Sequence, residues 1–450
     1  MSRVRSLAIN AAVILVVAVG SIALSLWITP MQQVSAAGQT IKVGVTAPSF
    51  STSGPGELDL FGQSIPTTVQ FTGPVRPRLA LTHITLSEQL SQLTASSPSA
   101  AARSLEKALV RGFKHFFYWQ ILVVALIAIV LFGAVAGWLR RGWKRTAVLI
   151  GVGLVVTEAL NVGAIMITAY SAPAKLSKVR SLQDLVGGTP PPAIQAVPTR
   201  SGPIGNVVVV GDSTAAGLGN RPLENGTAED KVCGRSQDAF AIDLASANKW
   251  HVTNLACSGA TIRSGLLGPQ QAGQLVVPAQ LDSPAIAKAD VLIVSIGAND
   301  VHWTDILALC AVSKDCSNKA ELAYFQQQLA GFSRDYLQLL GQLQLLAQHP
   351  VVVVNLYYDP FAGSIDCLAK RGVTDAKKQA MQTDLAALNK TLASGAKAAG
   401  FVTADPDFSG HGICSVQPYV QGLDAKAPFH PTPSGELAIA LADEHALHTR

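Results

Sequence analysis

The stretch that decides the fold is Val207-Val208-Val209-Val210-Gly211-Asp212-Ser213, four valines that run into a glycine, an acid and a serine. A short, continuous apolar run is typical of a strand that is buried on both faces of a parallel sheet. Two further runs of this type are Val291–Ile296 and Val351–Asn355. Helical patterns alternate with the strands, at about 236–248, 320–348 and 375–399. This alternation predicts βαβ units and one parallel sheet over residues 206–450.

The serine at the end of the first strand is the first candidate for chemistry. Ligands of parallel α/β sheets bind in the crevice outside the carboxyl ends of the strands, and Ser213 comes just past such an end. The helix predicted to follow presents its N-terminus, with its partial positive charge, to a developing anion. The chain has no Gly-x-Ser-x-Gly sequence, so the nucleophile elbow of the common α/β hydrolases is absent.

Three further motifs follow in order, each after a predicted strand or before the last predicted helix. They are Ala256-Cys257-Ser258-Gly259-Ala260, Gly297-Ala298-Asn299-Asp300 and His430-Pro431. Together with Gly211-Asp212-Ser213 they resemble the four ordered blocks of the SGNH (GDSL) family of esterases and lipases. One Gly-Asp-Ser triplet is weak evidence, whereas four blocks in family order are specific. The resemblance covers residues 206–450 and implies an α/β domain of three layers with a parallel sheet.

The resemblance implies a role for each block. Ser213 would attack an ester carbonyl after losing its proton to His430, the catalytic base. The backbone N–H groups of Ser213 and Gly259 and the side-chain amide of Asn299 would form the oxyanion hole, which stabilises the tetrahedral intermediate. This chemistry implies no metal and no cofactor.

The group that orients His430 is where the chain departs from the family. Members usually have an aspartate three residues before the histidine, and this chain has Ala427 there. An imidazole base still needs an acceptor at its second ring nitrogen. Three alternatives stay open. The acceptor is the backbone carbonyl of Ala427, as in some secreted actinobacterial esterases of the family, or the carboxylate of Asp424, or it is absent and the enzyme is weak or inactive.

The six cysteines all fall between Cys233 and Cys414. Six cysteines allow fifteen pairings. The surroundings of Cys233 and Cys257 resemble the same secreted esterases, which implies sequential pairing. The implied bonds are Cys233–Cys257, Cys310–Cys316 and Cys367–Cys414. Because disulfides persist in oxidising compartments, this domain is predicted to lie outside the cytoplasm.

Other side chains near the predicted site have supporting roles. Asp212 precedes the nucleophile and is predicted to orient the turn through side-chain hydrogen bonds. Tyr357, Tyr358 and Asp359 follow the strand that ends at Asn355, so they are predicted to line the pocket at the same edge of the sheet.

Three apolar segments precede this domain, at about 7–29, 117–139 and 147–170. Each exceeds the roughly 20 residues that a helix needs to cross the hydrocarbon core. Basic residues stand before the first segment and in the short turn between the other two: Arg3 and Arg5, then Arg140, Arg141, Lys144 and Arg145. The positive-inside rule places both sites in the cytoplasm, and therefore the loop 30–116 and everything after Tyr170 outside.

The first segment has a second interpretation. It could be a secretory signal with Val34-Ser35-Ala36-Ala37 as the small-residue cleavage site. Its apolar stretch is long for a signal, which favours a retained anchor. Either interpretation puts the residues after Tyr170 on the same side.

The predicted organisation has five parts. They are a membrane helix or signal anchor at 1–29, an extracytoplasmic loop domain at 30–116, two membrane helices with a basic cytoplasmic turn at 117–170, a Pro/Gly linker at 171–205 and the hydrolase domain at 206–450. The loop domain is predicted to be β-rich at first, with strand-like runs at Ile41–Val45, Thr67–Phe71 and Val75–Leu81, and helical over 86–115.

Composition narrows the function classes. Hydrophobic residues make up 49% and charged residues 14% of the 450 positions, against roughly 25% charged residues in soluble globular proteins. This excludes a mostly disordered chain and argues against a purely cytosolic one. The net charge of +5, with no long basic stripe, gives no support for nucleic-acid binding.

The sequence predicts a membrane-anchored, extracytoplasmic serine esterase or lipase that hydrolyses a carboxylic ester through an acyl-serine. The expected substrate is an acetyl ester on a surface glycan or a lipid ester. Two alternatives stay open. Ala427 motivates a non-catalytic surface binding or assembly protein on the same fold, and the same chemistry could transfer the acyl group to another hydroxyl, as an O-acyltransferase.

Overall fold

The computed structural model describes residues 2–36, 39–47, 51, 53–73, 75–84, 98–140, 142–176, 203–314, 316 and 318–449. The chain divides into two compact units. One contains three long helices and a first sheet, and the other contains the parallel sheet that begins at residue 206. The predicted linker 171–205 lies outside the described residues except at its two ends.

Long helices dominate the N-terminal unit. They are α1 (Ser2–Ile28), α2 (Pro98–Trp138) and α3 (Trp143–Leu176). Each contains a stretch long and apolar enough to cross a membrane, at Asn10–Ile28, Lys107–Trp138 and Trp143–Ile167. The three apolar segments predicted from the sequence are therefore helical.

The second of these helices joins two predicted segments. A helix was predicted over 86–115 and a membrane helix from 117, and the structure has one continuous helix from Pro98 onward. The start of the predicted helix, up to residue 97, lies outside the described residues. No proline occurs between residues 99 and 138, so nothing in the sequence breaks the helix at 116.

Polar side chains join the three helices inside the apolar region. Gln120 and Asn161 exchange two amide hydrogen bonds, at 2.8 and 3.0 Å, and Gln120 also donates to Ser25 Oγ at 3.1 Å. Buried amides that bond across helices are a common means of holding membrane helices together. This contact ties α2 to both α3 and α1.

A five-stranded sheet completes the N-terminal unit, in the order β1-β2-β5-β3-β4. Its strands are β1 (Gln32–Ala36), β2 (Gln39–Val45), β3 (Ser53–Leu60), β4 (Gln63–Thr72) and β5 (Pro77–Ile84). The three strand-like runs of the sequence fall in β2, β4 and β5, whereas β1 and β3 were not predicted. β1 pairs antiparallel with β2 and includes Val34–Ala36 of the alternative cleavage site.

The C-terminal unit is built on a parallel five-stranded sheet in the order β12-β11-β10-β6-β7. Its strands are β6 (Asn206–Gly211), β7 (His251–Asn254), β10 (Val291–Ser295), β11 (Val351–Asn355) and β12 (Val402–Ala404), and a hairpin of β8 (Gln270–Ala272) and β9 (Leu275–Val277) lies between β7 and β10 in the chain. The three strands predicted from valine-rich runs are β6, β10 and β11, and all three are buried on both faces.

Helices cover both faces of this sheet. They are α4 (Ser213–Ala216), α5 (Ala228–Cys233), α6 (Phe240–Asn248), α7 (Trp303–Val312), α8 (Lys319–Gln344), α9 (Asp375–Ala399) and α10 (Pro433–His448). α6 packs with α10, and α8 packs with α9. The result is the predicted α/β domain of three layers, and the predicted helices at 236–248, 320–348 and 375–399 correspond to α6, α8 and α9.

Candidate active site

The candidate residues lie at the carboxyl ends of three neighbouring strands. β6 pairs with β10 on one side and with β7 on the other. Ser213 follows β6, Gly259 follows β7, and Asn299 follows β10. Because the strands are parallel, the three turns meet at one edge of the sheet, and His430 reaches this edge from the loop before α10.

Backbone hydrogen bonds continue the strand pairing into these turns. The N–H of Asp212 donates to the carbonyl of Ser295 at 3.1 Å, and the N–H of Cys257 donates to the carbonyl of Gly211 at 3.0 Å. A glycine is required at position 211, where the turn after β6 passes close to the end of β10, since a Cβ there would lie 2.1 Å from the carbonyl oxygen of Ser295. The glycine of the first block therefore sets how closely the serine turn approaches its neighbour.

The serine turn is fixed by the acid that precedes the nucleophile. Ser213 begins the short helix α4, and Asp212 caps it by accepting the N–H of Thr214 at 2.9 Å. This is the orienting role that the sequence predicted for Asp212. Burial raises the pKa of this carboxyl to about 6, while hydrogen bonds from Tyr357 and Thr214 act in the opposite direction.

The serine and the histidine are in hydrogen-bond contact. Ser213 Oγ lies 2.8 Å from His430 Nε2. The other ring nitrogen, Nδ1, lies 3.1 Å from the backbone carbonyl oxygen of Pro428. With a proton on Nδ1, the imidazole donates to this carbonyl and presents Nε2 as the acceptor of the serine proton.

The candidates predicted from the sequence to orient His430 are the Ala427 carbonyl and the Asp424 carboxylate. The carbonyl of Ala427 accepts the backbone N–H of His430, at 3.2 Å. Asp424 is 91% exposed and accepts from Arg371 at 3.1 Å. The acceptor within hydrogen-bond distance of Nδ1 is a main-chain carbonyl, as in the first alternative, and it is that of Pro428. The carbonyl of Ala427 also acts on the ring and raises its pKa.

Main-chain bonds hold the histidine loop against a second segment. The N–H of Gln421 donates to the carbonyl of His430 at 2.7 Å, and the N–H of Phe429 donates to the carbonyl of Gln421 at 3.0 Å. The hydroxyl of Tyr358 donates to the carbonyl of Phe429 at 2.8 Å. Phe429 has φ of 66°, a left-handed conformation that a bulky residue adopts only where its surroundings enforce it.

The environment of His430 favours its neutral form. Burial lowers the pKa of the imidazole below its usual value of 6.5, and the nearby carbonyls of Pro428 and Ala427 offset part of the shift. The neutral ring is the form that accepts a proton from serine. The candidate base is therefore in its proton-accepting form at neutral pH.

The three candidate oxyanion donors are presented by the turns around Ser213. Within the described residues, the N–H groups of Ser213 and Gly259 donate to no protein acceptor. Gly259 has φ of 80°, which a residue with a side chain adopts only under strain. Asn299 donates one amide hydrogen to the carbonyl of Ala260 at 2.9 Å. This bond ties the asparagine turn to the glycine turn and fixes the orientation of the amide, whose second hydrogen remains for a substrate oxygen.

The residues after β11 have a role that the sequence revealed only in part. Tyr357, Tyr358 and Asp359 line a cavity of about 440 Å³ at the carboxyl ends of β11 and β12. Among the described residues, its lining does not include Ser213 or His430, so the predicted place of the three residues in the substrate pocket stays a prediction. In addition, the hydroxyl of Tyr357 donates to Asp212 Oδ2 at 2.6 Å and accepts the N–H of Ala298 at 2.9 Å. Only the position of Tyr357 after a central strand could have indicated this contact, since its partners are distant in sequence.

The three disulfide bonds are Cys233–Cys257, Cys310–Cys316 and Cys367–Cys414. This is the sequential pairing that the resemblance implied. The first bond supports the site directly, because the backbone and side chain of Ser258 both bond to the carbonyl of Cys233, at 3.0 and 2.7 Å. The turn that carries Gly259 is thus attached to α5.

Comparison with known proteins finds similar lipases. The chain is 27% identical over 242 residues to Lipase 1 of Streptomyces coelicolor, a match that covers 51% of this chain and 81% of that protein. It is 25% identical over 237 residues to a lipase of Streptomyces rimosus, with the same coverage of 51% and 81%. The solved structure of the extracellular lipase from Streptomyces rimosus is 21% identical, with a TM-score of 0.45, and the match covers 54% of this chain and 99% of that one.

The family model matches the same region. Residues 209–438 match the GDSL-like Lipase/Acylhydrolase family, which is half of the chain and includes all four sequence blocks. The chain therefore belongs to the GDSL-like lipase and acylhydrolase family, and it is a carboxylic ester hydrolase.

Proposed function

We propose that the chain is a membrane-anchored serine esterase or lipase whose catalytic unit faces the extracytoplasmic side. The observation that carries the catalytic part is the contact of Ser213 Oγ with His430 Nε2 at 2.8 Å, with Nδ1 held by a carbonyl at 3.1 Å. A serine activated in this way attacks carbonyl carbon. Family membership supplies the substrate class, a carboxylic ester.

The reaction follows from the positions of the donors and acceptors. His430 takes the proton of Ser213 as Oγ attacks the ester carbon, and the resulting oxyanion accepts hydrogen bonds from the N–H groups of Ser213 and Gly259 and from the Asn299 amide. His430 then gives its proton to the departing alcohol, which leaves an acyl-serine. Water, deprotonated by the same imidazole, hydrolyses this ester and restores the free serine.

A main-chain carbonyl is sufficient for the role that aspartate usually has beside the base. The role requires an acceptor that fixes the tautomer and the ring orientation, and the Pro428 carbonyl meets both requirements. This geometry favours catalysis over the non-catalytic binding protein that Ala427 suggested. An isolated carbonyl stabilises the imidazolium less than a carboxylate does, so the pKa of His430 is set mainly by burial.

The anchor and the orientation are supported by the first half of the chain. Three helices have spans of 19, 32 and 25 residues that suit a membrane. Basic residues before α1 and between α2 and α3 favour the cytoplasm for those ends, and three disulfides favour an oxidising compartment for the catalytic unit. The tether favours an ester that is itself close to the membrane, such as a lipid ester or an acetyl ester of a surface glycan.

Ester hydrolysis by the full-length chain in detergent micelles tests the catalytic proposal. The wild type is expected to hydrolyse members of a panel from acetyl to long-chain acyl esters. Ser213→Ala and His430→Ala are expected to lower kcat by roughly 10⁴-fold or more, as removal of the nucleophile or base does in other serine hydrolases. Equal turnover by Ser213→Ala would overturn the proposal.

The orientation has its own test. A C-terminal fusion to alkaline phosphatase, which is active only outside the cytoplasm, is expected to be active in cells. A C-terminal fusion to a fluorescent protein that matures only in the cytoplasm is expected to be dark. The reverse result would place the catalytic unit inside.

A further inference from the structure

A tyrosine outside the four sequence blocks lies between two of them. Tyr357 is 9% exposed and follows the central strand β11. Its backbone is fixed on both sides by one amide of α9, since Asn389 Oδ1 accepts the N–H of Tyr357 at 2.8 Å and Asn389 Nδ2 donates to the Tyr357 carbonyl at 2.7 Å. The ring is therefore held at its base by the sheet and the covering helix, and its hydroxyl points toward the site.

The donor and acceptor roles of the phenol are fixed. It donates its only proton to Asp212 Oδ2 at 2.6 Å and accepts the N–H of Ala298 at 2.9 Å. Burial raises the pKa of Tyr357 well above 10, and the charge of Asp212 adds to the shift. The hydroxyl consequently stays protonated and keeps this direction across the working pH range.

Each of the two hydrogen bonds of the Tyr357 hydroxyl connects it to a turn that carries a proposed catalytic group. Asp212 uses its other oxygen to cap the helix that begins with Ser213, so the bond from Tyr357 fixes the carboxylate that positions the serine turn. The N–H of Ala298 belongs to the peptide that precedes the peptide of Asn299, so its bond to Tyr357 fixes the backbone from which the Asn299 amide projects. Both contacts act on donors of the proposed oxyanion hole.

We propose that Tyr357 is a positioning residue of the oxyanion hole, a hydrogen-bonded brace that fixes the distance between the serine turn and the asparagine turn. This inference rests on the proposed function. Because the oxyanion exists only in the transition state and the tetrahedral intermediate, the brace contributes to kcat and contributes little to ground-state binding of the ester.

Tyr357→Phe tests the brace, because it removes the hydroxyl and keeps the ring. Tyr336→Phe is the matched control. Tyr336 is also buried, and its hydroxyl donates to the Leu392 carbonyl at 3.0 Å, away from every catalytic turn. Tyr357→Phe loses two buried hydrogen bonds and Tyr336→Phe loses one. Both variants are therefore expected to lose thermal stability, and Tyr357→Phe is expected to lose more.

The two variants are expected to differ in kinetics. Tyr357→Phe lowers kcat by about tenfold at unchanged KM, because the oxyanion donors are then held less well for the transition state and about 1.4 kcal/mol of its stabilisation is lost. The inhibition constant of an alkyl boronic acid, which forms a tetrahedral adduct on the serine, rises by the same factor. Tyr336→Phe changes neither quantity. A Tyr357→Phe enzyme with wild-type kcat and wild-type boronate affinity would overturn the inference.

A second variant covers the case in which Tyr357→Phe does not fold. Asp212→Ala removes the carboxylate that accepts the Tyr357 proton, together with its bond to the Thr214 N–H, and leaves no group that could bond to the phenol in its place. The same paired loss in kcat and in boronate affinity is expected, and wild-type values for both would overturn the inference. Failure of the proposed function has a different signature, since the wild type itself would then fail to turn over esters.

Discussion

The two sides of the active site are held in place by different means. The oxyanion side consists of turns that end buried parallel strands, and lateral bonds such as Asp212 to Ser295 and Asn299 to Ala260 join these turns to one another. The histidine side is a loop before α10 whose essential contact is to a backbone carbonyl, that of Pro428.

The comparison shows that the positions of the donors and the proton affinity of the base depend on different parts of the site. On the oxyanion side, the proposed donors are two backbone N–H groups and one side-chain amide in the turns after the strands, and the rigid sheet sets their spacing. On the histidine side, a carbonyl orients the ring without adding a formal negative charge, so burial determines the proton affinity of the base. Variants on the oxyanion side should change the magnitude of kcat, and variants on the histidine side should change the pH dependence of kcat/KM.

Asn299→Ala is expected to have the largest effect among variants that leave both catalytic groups in place. Loss of one oxyanion donor typically costs roughly 10²- to 10³-fold in kcat, and KM should change little. Asn318→Ala is the control, because Asn318 caps the remote helix α8 and its loss should lower stability alone. A wild-type kcat for Asn299→Ala would show that the oxyanion side is not built as described.

The pH dependence of kcat/KM tests the histidine side. Activity should rise with pH as His430 loses its proton, with a midpoint below 6.5 because burial lowers the pKa of this ring. Ala427→Asp places a carboxylate near the ring, which favours the charged imidazolium, so the midpoint should move upward. A wild-type midpoint above 6.5, or no movement in Ala427→Asp, would contradict a base governed by burial and a carbonyl.

Asp300→Asn is expected to have a smaller effect, on stability. Burial raises the pKa of Asp300 to about 7, and the nearby charge of Asp212 adds to the shift. Because the pKa of Asp300 is higher in the folded state than in the unfolded state, its contribution to folding stability is fully present below pH of about 4. This contribution is lost as the pH rises through about 7. The neutral amide should remove this loss, so the melting temperature of Asp300→Asn should fall less than that of the wild type between pH 5 and pH 8. Parallel curves would contradict it.

Asp424→Ala is expected to have the smallest effect. Its carboxylate is exposed and bonds to Arg371, so kcat and the pH midpoint should both stay at wild-type values. A tenfold loss of kcat would return Asp424 to the role of orienting His430.

Much of the oxyanion side could be predicted from the sequence. On the histidine side, His430 could be predicted, but the contact of its Nδ1 with the Pro428 carbonyl could not. Valine runs mark β6, β10 and β11, and the residues after them are where a parallel sheet places function. No bounds were predicted for β7 and β12, because these strands are short and only partly buried. A carbonyl acceptor such as that of Pro428 leaves no trace in residue identity, because every residue has one.

The contact of Tyr357 with Asp212 illustrates a second limit. The two residues are separated by 145 positions, and no local pattern pairs them.

Intact-mass analysis after treatment with a fluorophosphonate tests the central claim most directly. This reagent phosphonylates an activated serine, and it is applied to the full-length wild type, Ser213→Ala and His430→Ala in detergent. The wild type should gain one adduct, Ser213→Ala should gain none, and His430→Ala should react far more slowly. A folded, disulfide-bonded wild type that gains no adduct would contradict the claim that a histidine held by a carbonyl activates Ser213, as would an adduct that persists in Ser213→Ala.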